Sequence, residues 1–294
     1  MLGPLVHDLL ARSAESAPER PLVIDAGRRF SYGEILEGAS RVARVLIDHG
    51  IRRGDRVGLI ADNSRVYVES YYGILRAGAV VVSLSTASDS GTQAKLLGDC
   101  GARALVCGPR QGRTVTALLD HRDLEFILGP VADDAIDAAR RGRCRLLDAP
   151  AALRSAPPEP PGVPLVDLDR AAIVYTSGST GRPRGAVLRH LNVVSNTRSI
   201  VRYLELSAED RVFVVLPFHY VYGKSLLNTH VAVGGSVVIE NRFLYPQEAL
   251  DHLEREEATG FSPSCSSTRS SSLTGLPQAP SRHTVTVTGL AAGT

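Results

Sequence analysis

Small hydroxyl residues, glycines and arginines are concentrated in one stretch, YTSGSTGRPRGAVLRH at residues 175–190, directly after an apolar run. Glycine lets the backbone approach a ligand closely, so that successive N–H groups can converge on an anion. The hydroxyl groups add hydrogen-bond donors, and the arginines add fixed positive charge. Such a loop suits a polyphosphate. Its composition alone also allows a mobile connector between two elements.

The spacing of this loop disfavours one class of nucleotide site. The G-x-x-x-x-G-K-[ST] pattern of Walker loops is missing, and no acidic magnesium motif is evident. An independent NTPase of that type therefore loses most of its support. The eight histidines and four cysteines also lack the spacing of metal ligands, so we predict neither a metal site nor a disulfide framework.

The elements around the loop follow a regular alternation. Ser31 and Glu34 are spaced as a capping box, and apolar residues then recur at helical spacing until Gly50. Strand-like runs such as AVVVSLS and AAIVYT alternate with helix-like segments along the chain. This alternation predicts an α/β fold with parallel strands and helices packed on the sheet. AAIVYT leads straight into the loop, which places the loop at the end of a buried strand.

The length of 294 residues leaves room for about two domains. Five prolines in residues 154–164 predict a surface linker, and the composition changes to Ser, Thr and Pro after Ser262. We therefore predict an α/β subdomain at 1–153, the linker at 154–164, an incomplete second α/β subdomain with the loop at 165–262, and a divergent or frame-disrupted tail at 263–294.

Composition limits the classes of function. Hydrophobic residues make up 44% and charged residues 22% of the chain, as in globular proteins. No apolar run approaches the ~18 residues of a membrane span, and the N-terminus lacks a basic leader, so we expect a cytoplasmic protein. The formal net charge of +2 gives no electrostatic case for a nucleic-acid partner.

The loop resembles the phosphate-loop signature Y-T-S-G-T/S-T-G-x-P-K-G of the acyl-adenylate-forming superfamily, which includes acyl-CoA synthetases, luciferases and peptide-synthetase adenylation domains. Arg184 stands at the family lysine, a change that we interpret as tolerated because arginine replaces lysine nearly throughout this chain. The resemblance implies that Thr180 and Arg184 are candidates for stabilising the transition state. It implies that the ATP phosphates are bound by Thr176, Ser177, Gly178, Ser179, Thr180, Gly181, Arg184 and Gly185.

A second motif follows about 30 residues later. The segment PFHYVYG at 217–223 resembles the family pattern P-x-x-H-x-[FY]-G, with the family histidine falling on Tyr220 and a histidine one residue earlier. The resemblance implies an acyl-substrate pocket lined by His219, Tyr220, Tyr222 and Gly223. For any one of the aromatic residues, a core position at a strand-to-helix junction is the open alternative.

The resemblance covers residues from about 5 to 262 and implies the layered α/β/α/β/α N-terminal domain of adenylate-forming enzymes. That domain is expected to be incomplete, because the Y-G-x-T-E motif does not follow, and the C-terminal domain with its lysine is expected to be absent. The implied function is that of a truncated AMP-dependent synthetase, an acid–thiol ligase whose intact relatives use ATP and Mg²⁺ to join a carboxylic acid to coenzyme A or a carrier-protein thiol. The alternative is a non-catalytic nucleotide-binding or interaction module.

Overall fold

The computed structural model describes residues 3–131, 144–159, 162–176, 183–241 and 246–261. The helices in these ranges are α1 (Val6–Ser16), α2 (Tyr32–Asp48), α3 (Arg65–Arg76), α4 (Ser90–Cys100), α5 (Gly112–Leu118), α6 (Ala149–Ser155), α7 (His190–Tyr203), α8 (Val221–Val233) and α9 (Pro246–Arg255). The strands are β1 (Pro21–Asp25), β2 (Arg28–Ser31), β3 (Arg56–Ile60), β4 (Val80–Ser83), β5 (Ala102–Cys107), β6 (Phe126–Gly129), β7 (Arg145–Asp148), β8 (Arg170–Thr176), β9 (Arg184–Arg189), β10 (Arg211–Val214), β11 (Ser236–Ile239) and β12 (Gly260–Phe261).

The strands form two sheets. The order is β12-β10-β11-β1-β2 in the smaller sheet and β7-β6-β5-β3-β4-β8-β9 in the larger one. Neighbouring strands are parallel, except that β1–β2 and β8–β9 are antiparallel. The predicted α/β fold is confirmed. The two antiparallel pairs were not predicted, because β2 and β9 are rich in arginine and lack the apolar pattern of a buried strand.

Three apolar clusters show how the layers are stacked. The largest joins both sheets through α1, α2, α3 and α8, so these helices fill the space between the sheets. A second cluster packs α4 and α5 on the outer face of the larger sheet. A third packs Ala249 of α9 against Ile24, Phe213 and Val238 on the outer face of the smaller sheet. This is the α/β/α/β/α layering that the resemblance implied.

The start of α2 shows how local sequence sets an element. Glu34 N–H donates to Ser31 Oγ at 3.2 Å, and Ser31 N–H donates to Glu34 Oε2 at 2.7 Å. Both donors would otherwise lack a partner in the first helical turn. The predicted capping box is therefore confirmed, and the apolar face of α2 is fixed against the sheets.

Each sheet combines strands from both sides of residues 154–164. The segment therefore joins parts of the chain that share sheets, and the four-part division of the chain stays a prediction. The tail at 263–294 lies outside the described residues. Within the part of the chain that the structure describes, no helix combines the length and apolar character needed to cross a bilayer.

Candidate functional site

The β8–β9 hairpin carries the predicted phosphate loop. Thr176 at the end of β8 pairs with Arg184 at the start of β9, and Tyr175 pairs with Gly185. Arg184 and Gly185 thus belong to a strand and border the loop. The other residues of the predicted phosphate site, Ser177, Gly178, Ser179, Thr180 and Gly181, lie outside the described residues. The structure brings together Thr176, Arg184 and Gly185, and all three are exposed.

The β8–β9 hairpin is anchored to α4 through Tyr175. The hydroxyl of Tyr175 donates to a carboxylate oxygen of Asp99 on α4, and desolvation followed by this contact raises the pKa of the phenol. A Cβ on Gly185 would lie 3.0 Å from Ile173 Cγ2 and 3.3 Å from Tyr175 Cε1. Glycine at position 185 therefore lets β9 pack closely over the Tyr175 ring, which holds both strands at the root of the loop.

The second motif forms the turn between β10 and α8, and Asn63 holds it in place. The Asn63 side chain donates to the Leu216 carbonyl at 2.8 Å and accepts from Phe218 N–H at 2.7 Å. The Tyr67 hydroxyl lies 2.9 Å from the Phe218 carbonyl. Asn63 and Tyr67 have no local signal in the sequence, because these partners lie more than 150 residues away along the chain.

The four residues proposed for the acyl pocket do not all meet in one place. His219 and Tyr220 line a cavity of about 250 Å³ together with Asn63, which we call the histidine cavity. The lining of this cavity includes neither Tyr222 nor Gly223. Tyr222 is 43% exposed. A Cβ on Gly223 would lie 2.5 Å from the Pro217 carbonyl oxygen, so glycine here permits the tight entry into α8.

His219 is neutral at physiological pH. Desolvation, followed by the nearby Lys224, lowers its pKa to about 4. Its Nε2 is buried without a hydrogen-bond partner among the described residues. The ring lies 4.1 Å from that of Tyr220, measured between centroids. A neutral imidazole beside a cavity can donate or accept one hydrogen bond to a ligand.

A second cavity, of about 200 Å³, lies between α3, α7, α8 and the hairpin. We call it the lysine cavity, because Lys224 of α8 is the charged residue among those that line it. Ala172 and Val174 of β8 and Leu188 of β9 form part of its apolar wall. Lys224 is not part of either sequence motif. Its one signal was rarity, because only two of the 33 basic residues are lysines.

A third and larger cleft lies beside the β1–β2 turn. That cleft, of about 820 Å³, is lined by several acidic side chains, including Asp25, Glu240 and Glu256. Glu240 Oε2 lies 2.8 Å from His252 Nδ1, and Glu256 pairs with Arg29 at 2.5 Å. Within the described ranges, no group of three or more His, Cys, Asp or Glu side chains is arranged to hold a metal ion.

Comparison with known proteins agrees with this architecture. The chain is 30% identical over 249 residues to a feruloyl-CoA synthase from Amycolatopsis sp, which covers 84% of the chain and 46% of that protein. It is 31% identical over 195 residues to the long-chain-fatty-acid–CoA ligase FadD13 of Mycobacterium tuberculosis (strain CDC 1551 / Oshkosh), covering 66% of the chain and 36% of the ligase. The chain thus spans less than half of these curated relatives.

Solved structures show the same fold. The N-terminal domain of FACL13 from Mycobacterium tuberculosis aligns with a TM-score of 0.76 at 24% identity, over 87% of this chain and 62% of that one. The anthranilate CoA ligase AuaEII, solved with anthranoyl-AMP, aligns with a TM-score of 0.78 at 22% identity, over 89% and 49%. The sequence profile described as AMP-binding enzyme matches residues 10–264. The chain therefore belongs to the AMP-binding enzyme family.

Proposed function

We propose that this chain supplies the phosphate-binding and acid-binding part of an AMP-forming acid–thiol ligase. Such an enzyme activates a carboxylic acid with ATP and then transfers the acyl group to a thiol, either coenzyme A or a carrier-protein thiol. The observation that carries the proposal is the β8–β9 register, which sets Thr176 opposite Arg184 at the root of the loop. The names of the relatives, which include CoA synthases and CoA ligases, support the reaction class.

In the first step, a carboxylate oxygen attacks the α-phosphorus of ATP and forms the acyl-AMP bond. The bond from that phosphorus to the bridging oxygen breaks, and its electron pair leaves with pyrophosphate. Charge then accumulates on the leaving group, and in this proposal the guanidinium of Arg184 offsets it. The Thr176 hydroxyl adds a donor at the same end of the hairpin. In the second step, a thiolate attacks the acyl carbon and AMP leaves.

Mg²⁺ is implied by the resemblance, but its ligands are not found in the part of the chain described here. No described cluster of three acidic or imidazole side chains meets the donor set that a metal ion needs. We therefore derive no step through the ion. The contribution of this chain is positioning of the phosphates and electrostatic stabilisation by the hairpin.

The phosphate site is tested by replacing Arg184. We expect Arg184→Ala to weaken ATP binding about ten- to hundredfold, because a hydrogen bond to a charged group contributes about 1.5–3 kcal/mol. Isothermal titration calorimetry with ATP measures the change. Arg189→Ala is the matched control, because Arg189 is an exposed arginine at the far end of the same strand. Equal ATP affinity in Arg184→Ala and the wild type would show that the phosphates bind elsewhere.

Isotope exchange distinguishes the reaction classes. Exchange of labelled pyrophosphate into ATP that depends on an added carboxylic acid supports the ligase. ATP binding without exchange supports the non-catalytic nucleotide-binding module instead, and steady release of phosphate without an acid supports an NTPase.

A further inference from the structure

Lys224 is the least expected residue in the interior. Its side chain is 6% exposed, and its Nζ is buried without a hydrogen-bond partner among the described residues. A buried ammonium without a partner is costly, so such groups are usually paired or lose their proton. Lys224 also lies in the first turns of α8, where the helix dipole disfavours a positive charge. Packing therefore gives no reason for a lysine at this position.

The surroundings of Lys224 present a second donor. Asn228 accepts from the Tyr72 hydroxyl at 2.9 Å and donates to the Tyr71 hydroxyl at 3.2 Å. The Tyr71 hydroxyl accepts the hydrogen bond from Asn228, so its own hydrogen is left to donate to another group. Tyr71 and Lys224 both line the lysine cavity. A ligand with a hydrogen-bond acceptor, and above all an anion, would satisfy both groups.

The cavity is continuous with the phosphate hairpin. Side chains alternate between the faces of a strand, so Ala172, Val174 and Thr176 lie on one face of β8. The first two line the lysine cavity, and the third stands at the root of the loop. On β9, Leu188 lines the cavity, and Arg184 lies on the same face four residues away. The cavity wall therefore ends about 7 Å, two residues along β8, from the proposed phosphate site.

The size and lining of the cavity limit the ligand. A cavity of about 150 Å³ is enough to hold benzene, so about 200 Å³ suits a short carbon chain or a single ring. The wall formed by the hairpin is apolar, whereas the side of α3 and α8 carries the Tyr71 hydroxyl and Lys224. Such a cavity matches a short carbon chain with an anionic group on the side of α3 and α8.

We propose that Lys224 and Tyr71 bind the distal carboxylate of a short dicarboxylic acid, whose other carboxylate points toward the phosphate hairpin. Lys224 is then the residue that determines substrate specificity. This assignment rests on the proposed function, which makes a carboxylic acid the substrate. Among the described residues no acceptor holds the ammonium, and its flexible stem allows it to turn toward the ligand.

The electrostatic setting makes binding measurable through the lysine itself. Desolvation lowers the pKa of Lys224 to about 7. Among the described residues, His219 before α8 interacts electrostatically with Lys224 and Tyr71 on α3 shares its cavity, whereas the cavity residues of α7 and of the hairpin are uncharged. An anion beside Lys224 favours the protonated form and raises its pKa.

The test uses NMR of the chain labelled with [ε-¹³C]lysine, which gives one signal for each of the two lysines. The signal of Lys95, which is exposed on α4, is the internal reference. Glutarate is compared with pentanoate, which has the same chain length and one carboxylate fewer, and the series extends from succinate to pimelate. We expect at least one dicarboxylate to shift the Lys224 signal and to bind tenfold or more tightly than its matched monocarboxylate.

The variants separate the roles of the two donors. We expect Lys224→Met to lose the preference for a dicarboxylate over the matched monocarboxylate, and Tyr71→Phe to weaken dicarboxylate binding severalfold. Lys95→Met should bind as the wild type does. Equal affinity for both members of every pair, or no shift of the Lys224 signal at any length, would overturn the proposal. These titrations contain no ATP, so they are independent of the ATP-binding measurement. If the wild-type chain binds a dicarboxylate but not ATP, the proposed ligase function alone is refuted.

Discussion

Helices α3 and α8 are linked by hydrogen bonds, and the buried tyrosine hydroxyls of α3 differ from the buried ammonium of Lys224 on α8. On α3 the hydroxyls of Tyr67 and Tyr72 are buried and each contacts a partner at 2.9 Å. On α8 Asn228 completes that network, but one turn earlier the Nζ of Lys224 is buried with no partner among the described residues. The difference separates groups that stabilise the fold from a group that does not.

The two helices lie in the same interior. Both contribute to the apolar cluster between the sheets, so the cost of burying an unpaired charge is similar for either one. Satisfied hydroxyls on α3 rigidify the turn at Phe218 and the wall of the lysine cavity. A lysine retained beside them at a cost in stability is better explained by a ligand than by packing.

The largest expected effect is a gain in stability from Lys224→Met. A fall in the lysine pKa from 10.5 to about 7 corresponds to roughly 5 kcal/mol. Because relaxation of the site reduces that figure, we expect the variant to be about 3 kcal/mol more stable at pH 7. Urea unfolding measures the free energy, and Lys95→Met on exposed α4 should change it by less than about 0.5 kcal/mol.

The pH dependence of the free energy of unfolding gives an independent test of the buried lysine. Between pH 7 and 10.5 the unfolded lysine holds a proton that the folded one has released, so the wild type becomes more stable as the pH rises. The free-energy difference between Lys224→Met and the wild type should therefore be largest at pH 7 and below, and should vanish near pH 10.5. A methionine variant less stable than the wild type would mean that Lys224 has a favourable partner, and the contrast with α3 would fail.

Sequence alone identified the parts of this fold that depend on neighbours in the chain. The capping box of Ser31 and Glu34 joins residues three apart, and the runs that became β4 and β8 carry their apolar pattern locally. The phosphate hairpin was found through a motif, but its antiparallel register was not. Gly185 and Arg184 have the composition of a loop, but their strand pairs with β8, which contacts Asp99 through Tyr175, 76 residues away along the chain.

The lysine cavity could not be predicted for a related reason. Asn228 and Tyr71 are 157 residues apart, and neither has a local pattern that pairs it with the other. A lysine on α8 is ordinary until the fold shows that no residue in the described part of the chain accepts its hydrogen bonds. The cost of a buried charge is a property of three-dimensional surroundings, and sequence periodicity does not report it.

A smaller effect, of opposite sign, is expected at Asn228. Asn228→Leu keeps a similar volume but leaves the Tyr72 hydroxyl without its acceptor and the Tyr71 hydroxyl without its donor. We expect a loss of about 2 kcal/mol in urea unfolding, because buried polar groups are left unsatisfied. Adding Tyr72→Phe should recover part of the loss, since the orphaned hydroxyl is removed with it. A fully additive double variant would show that the two groups are not coupled.

The smallest effect is expected at Tyr67, whose hydroxyl lies 2.9 Å from both Ser83 Oγ and the Phe218 carbonyl. Tyr67→Phe should cost about 1 kcal/mol, because one buried hydrogen bond is lost while the ring keeps its packing. Tyr203→Phe is the matched control, because that ring is 83% exposed. Since the Phe218 carbonyl precedes His219, Tyr67→Phe should also perturb NMR signals at the histidine cavity more than Tyr203→Phe does. If the two variants behave alike in both measurements, the hydroxyl of Tyr67 does not stabilise the turn. The contrast between the buried tyrosine hydroxyls of α3 and Lys224 of α8 would then not hold at Tyr67.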